Sequence, residues 1–122
     1  MAAELSVSII AEASGLGKLL TFLEKFTQTT TPTAFTYNYR TLATADTEEA
    51  LDLGDVTTVE YVVIKAVSGP LYVDTSFSVT FSNEIIIPAG EIACFKPGGT
   101  LYVKNYTALG TPTYEYLVSG TT

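Results

Sequence analysis

From Leu71 onward, glycine and proline cut the sequence into apolar pieces too short to be helices. Residues 71–74 form one such piece. Residues 84–87 stop at Pro88-Ala89-Gly90, residues 91–96 at Pro97-Gly98-Gly99 and residues 100–106 near Gly110-Thr111-Pro112, and residues 114–118 follow. Glycine supplies the positive φ, and proline the fixed φ, that tight turns require. Short strands spaced about ten residues apart argue for an antiparallel β-sandwich or a barrel.

The first half carries the same signature. Leu5-Ser6-Val7-Ser8-Ile9 alternates apolar and polar, and residues 34–40 set Phe35, Tyr37 and Tyr39 against Thr36, Asn38 and Arg40. Ser76-Phe77-Ser78-Val79-Thr80-Phe81-Ser82 is the cleanest alternation and predicts a half-buried strand with Phe77, Val79 and Phe81 inward. Residues 59–67 are nearly all apolar, which predicts a strand buried on both faces. Residues 16–26 are ambiguous. Leu16, Leu19, Leu20 and Leu23 have helical spacing, but Gly15 and Gly17 spoil the first turn and Phe22 and Phe26 suit a strand, so the β neighbourhood favours a strand. The acidic connection 46–55 has room for one short helical turn.

With 122 residues, 47% of them hydrophobic, the chain predicts a single all-β domain over 1–122 with a sizeable core. It has no histidine and one cysteine, Cys94. A Ser-His-Asp or Cys-His centre therefore lacks its imidazole base. A structural zinc site lacks ligands, and a disulfide framework lacks pairs. Cys94, inside Ile92-Ala93-Cys94-Phe95, reads as a small buried hydrophobe. The net charge of -7 and six scattered bases exclude the electrostatic footprint of nucleic-acid binding. No apolar run is long enough for a membrane helix, and the first residues lack the basic region of a signal peptide.

Few motifs carry chemistry. Gly15-Leu16-Gly17-Lys18 lacks the earlier glycine and the following Ser or Thr of a phosphate loop, and reads as a turn. Asp46, Glu48, Glu49, Asp52 and Asp55 offer calcium-type oxygens, but not in EF-hand order, so a solvated connection is the simpler reading. Nothing singles out among them the carboxylate pair of a glycoside hydrolase. Asn105-Tyr106-Thr107 matches the glycosylation sequon. No catalytic residue, cofactor or metal is expected. The tyrosines say more, because an apolar ring with a polar tip suits an interface. Candidate interface residues are Tyr37, Tyr39, Tyr72, Tyr102, Tyr106, Tyr114 and Tyr116, together with Leu5, Val7 and Ile9. These last three lie in residues 1–11, a candidate docking arm or edge strand.

The ordered blocks Thr47-Glu48-Glu49-Ala50-Leu51-Asp52-Leu53-Gly54-Asp55-Val56, Leu71-Tyr72-Val73-Asp74, Ile87-Pro88-Ala89-Gly90-Glu91, Phe95-Lys96-Pro97, Leu101-Tyr102-Val103-Lys104 and Glu115-Tyr116-Leu117-Val118 lie within a stretch, residues 34–118, that follows one pattern. Their pattern resembles small virion structural proteins of tailed bacteriophages. The resemblance implies a jelly-roll-like β-sandwich without catalysis, made in the host cytoplasm and assembled into the virion. Its expected partners are further copies of itself, as a homo-oligomer, and other virion proteins such as the major capsid protein, with neither nucleic acid nor membrane. Capsid decoration, or cementing, suits a small single domain best. A tail or head-tail position is the alternative, and a carbohydrate-binding or host-recognition module is a reading of a different class.

Overall fold

The computed structural model describes residues 3–105 and 110–122. Among them the chain is all-β and contains no helix. Strands β1 (Ser6–Ala13) and β2 (Leu20–Thr27) form a two-stranded hairpin of their own. The other eight are β3 (Ala34–Thr41), β4 (Glu49–Ala50), β5 (Thr58–Ala66), β6 (Leu71–Asp74), β7 (Ile85–Ile87), β8 (Ile92–Phe95), β9 (Tyr102–Lys104) and β10 (Thr113–Thr121). They build two four-stranded sheets, β3-β10-β5-β8 and β4-β9-β6-β7, in which every pairing is antiparallel. Only β6 to β7 is connected within one sheet; every other step from β3 to β10 crosses to the opposite sheet. That wrapping is the jelly-roll arrangement.

Strand parity places the core. Val62, Ile64 and Ala66 of β5 share one face with Tyr114, Tyr116 and Val118 of β10. They meet Leu71, Val73, Ile87 and Val103 of the second sheet, and Leu42, Leu51, Val56 and Leu101 close the ends. β10 is central because it pairs on both sides, Leu117 lying between Tyr37 and Val63. A register shift at Ser119/Gly120 brings Gly120 against the Thr58 carbonyl, where a Cβ would collide with backbone.

Three expectations are corrected. Residues 76–82 are not a strand. The Asp74 carboxylate at the end of β6 is buried and accepts the amides of Ser76 at 2.9 Å and Ser82 at 2.8 Å. Glu84 accepts the Thr75 amide, and the segment folds into a loop over the second sheet. There Phe77 stacks on Tyr102 with centroids 3.8 Å apart, Lys104 stands 5.7 Å from the Phe81 ring, and Val79 is 86% exposed. Carboxylate caps at its ends, the buried Asp74 and the exposed Glu84, outweigh a period-two pattern that has no partner strand. The acidic connection holds no helical turn; its middle forms β4, whose Glu49 and Ala50 pair with Val103 and Tyr102. Finally, β5 is fully buried on one face only: Tyr61, Val63 and Lys65 lie half-buried on its outer face. In the ambiguous 16–26 segment, strand begins at Leu20, and Leu16 lies in the hairpin turn.

Candidate functional site

The most unusual surface begins with the hairpin. Its register runs from Ser6↔Thr27 to Ala13↔Leu20, so each residue shares a face with its cross-strand partner. One face carries Ser6, Ser8, Glu12, Thr21, Lys25 and Thr27, interrupted by the Ile10–Leu23 pair. The other carries Val7, Ile9, Ala11, Ala13, Leu20, Phe22 and Phe26, with Glu24 as its single charge. Every residue of both strands except Val7 is exposed. Gly15 and Gly17, at φ of 98° and 87°, provide the left-handed backbone of the intervening turn.

The hairpin is fixed at its root. Leu5 is buried, its carbonyl accepts the Gln28 amide at 2.8 Å, and the Ser119 hydroxyl donates to Gln28 at 2.7 Å. Phe26 packs on Tyr61 with ring centroids 5.3 Å apart. Because Tyr61 belongs to the outer face of the first sheet, this contact joins the apolar face of the hairpin to that sheet face. A crevice of about 210 Å³ lies at the junction, closed on one side by the Lys96–Glu60 ion pair at 2.9 Å.

The outer sheet face runs in rows across the four strands. Tyr37, Leu117, Val63 and Cys94 form one, and Tyr39, Glu115, Lys65 and Ile92 the next. Phe35, Tyr37, Tyr39 and Ile92 are largely exposed. An open recess of about 220 Å³ lies among Tyr37, Val63, Lys65, Ile92, Glu115 and Leu117. The Tyr37 hydroxyl donates to Glu115, and this bond raises the Tyr37 pKa above its ordinary value. Burial raises that of Tyr61, with Cys94 beside it adding to the effect.

Of the expected interface residues, Ile9, Tyr37 and Tyr39 are exposed on this surface, and Val7 is half-buried beside Phe26. Leu5 is buried at the hairpin root. Tyr72 and Tyr102 lie half-buried on the outer side of the second sheet, apart from the rest, with Tyr102 under Phe77. Tyr106 lies outside the described residues. Tyr114 and Tyr116 are corrections: both are core, stacked with centroids 5.9 Å apart. Their hydroxyls explain how a polar atom survives there. Tyr114 donates to Glu49 at 3.1 Å and Tyr116 to the Asp52 carbonyl at 2.7 Å, while Asn38 donates to Tyr116. Burial, reinforced by the Glu49 charge, drives the Tyr114 pKa far above its ordinary value.

The same contacts occupy the acidic connection. Glu49 serves Tyr114 and the Ala43 amide, Asp52 pairs with Arg40 at 3.1 Å, and Asp46 pairs with Lys104 at 3.5 Å. Among the described residues no three Asp, Glu or Cys side chains gather where they could hold a metal ion. The surface that remains offers apolar and aromatic area, with Glu24, Lys65 and Glu115 as charges upon it. Compared with known proteins, the chain matches no family model, no curated protein and no solved structure.

Proposed function

We propose that the chain is a non-enzymatic virion structural protein of a tailed bacteriophage, a capsid decoration or cement protein that associates with itself and with the capsid lattice to stabilise the particle. The observation that carries this reading is the projecting hairpin. Eight large apolar residues stand exposed on it or its turn, from Ile9 at 37% to Leu16 at 98%. They are divided among its two faces and its turn: Ile9, Leu20, Phe22 and Phe26 on one face, Ile10 and Leu23 on the other, and Leu16 and Leu19 in the turn. A two-stranded ribbon alone is marginal in water, so covering it with another protein removes a liability. The resemblance of residues 34–118 to virion structural proteins supplies the class of partner, because jelly rolls serve capsids and lectins alike and the fold alone does not choose.

The test is to locate the protein in purified phage particles by mass spectrometry and electron microscopy, and to compare the heat resistance of particles with and without it. Presence on the capsid surface with reduced heat resistance on its removal is expected. Presence at the tail or neck instead moves the protein to the alternative position, and absence from particles ends the reading. Tyr37 and Tyr39, neighbours on one face of β3 and 63% and 60% exposed, favour a carbohydrate platform as the second reading. Glycan binding by a stable monomer is its signature.

A further inference from the structure

Two apolar faces are left open in one chain, and they are matched. The first is the hairpin face of Ile9, Leu20, Phe22 and Phe26; the second is the outer face of the β3-β10-β5-β8 sheet. The apolar run of β5 is of the kind that is covered on both sides, yet its Val63 and Lys65 are only half-buried. A ribbon of eight residue pairs is about 27 Å long, enough to cross a four-stranded sheet, and face-to-face sheets pack about 10 Å apart. The recess of about 220 Å³ on the sheet exceeds the roughly 150 Å³ that takes a benzene ring, so it accepts a phenyl side chain. Charge matches as well. Glu24 is the single charge on the hairpin's apolar face, and Lys65 lines the recess beside Glu115, whose carboxylate already accepts the Tyr37 hydroxyl. Among the described residues neither Glu24 nor Lys65 makes an ion pair. The chain does not satisfy this match internally: the hairpin touches its own sheet at the Phe26–Tyr61 root, and Leu20 and Phe22 beyond it remain 57% and 55% exposed.

We propose that the occupant is a second copy of the chain: the hairpin's apolar face lies on the outer sheet face of a neighbouring copy, Phe22 entering the recess beside Val63 and Ile92 and Glu24 facing Lys65. This assignment rests on the assembly reading above and specifies its self-association. Every copy carries both halves, so the contact repeats until the assembly closes.

Sedimentation of the full chain, alone and without particles, tests it. The wild type is expected to be a closed oligomer. Phe22→Ser, at an exposed position, is expected to keep the circular dichroism and melting temperature of the monomeric fold and to release monomer. Glu24→Lys and Lys65→Glu are each expected to weaken association at least about tenfold, and the double variant to recover most of the loss. A monomeric wild type overturns the proposal, as does an oligomer indifferent to Phe22→Ser or a double variant no tighter than either single one. Particle binding is scored separately. Monomers that coat capsids refute this contact and keep the decoration reading, whereas oligomers dissociated by these variants but indifferent to particles do the reverse.

Discussion

Asp74 shows how one side chain redirects a segment. Burial alone pushes its pKa up, but the Ser82 and Ser76 amides, with hydrogen bonds to Glu84 and to the Ser76 hydroxyl, hold the carboxyl below its ordinary value. A group depressed in the folded state contributes stability that is full above its unfolded pKa, about 3.9, and is lost as pH falls through the folded value. We therefore expect urea midpoints to fall on acidification below about pH 4, and Asp74→Asn to remove most of that dependence. The same substitution turns an amide donor toward backbone N–H groups, with an expected cost of about 1–3 kcal/mol at neutral pH. Tyr116→Phe leaves the Asp52 carbonyl and Asn38 short of a partner and is expected to cost about 1 kcal/mol by chemical denaturation. Neither role was legible beforehand. Parity sets Tyr114 and Tyr116 beside Val118, but which face is wet depends on Glu49 and Asp52 arriving from more than sixty residues away.

Elements were more legible than residues. The alternation at Leu5–Ile9 and at 34–40, the apolar run 59–67 and the short pieces from Leu71 onward all became strands where glycine and proline delimited them. The failures share a cause. An alternating run becomes a strand only when another strand offers its edge, and residues 76–82 find carboxylate caps instead, while Glu49 and Ala50 find β9. The hairpin was half seen: alternation marked β1, and the glycines marked a turn, but its registration with β2 was hidden by the leucine spacing of 16–23. Packing at the bulge is equally specific. Gly120→Ala sets a methyl group against the Thr58 carbonyl and Val56, with an expected loss of about 1–3 kcal/mol in denaturant titrations. Replacing Leu20 and Phe22 by serine, by contrast, is expected to leave the far-ultraviolet circular dichroism unchanged, because neither side chain belongs to the core of its own chain.

At the scale of the molecule, the jelly-roll closure was legible as a class and not as a wiring, since short strands at even spacing fit several sandwiches. Its wiring has a consequence for synthesis. Among the described residues β10 is the only strand that links β3 to the rest of the first sheet. On the ribosome, β3 emerges more than seventy residues ahead of the neighbour it needs, and waits as an unpaired ribbon bearing Phe35, Tyr37 and Tyr39. Nascent chains released before residue 113 would hold β5 against β8 alone and leave the inner layer open. Such truncated products are expected to be insoluble or chaperone-bound, with solubility returning abruptly, not gradually, once the stretch 113–121 has left the exit tunnel.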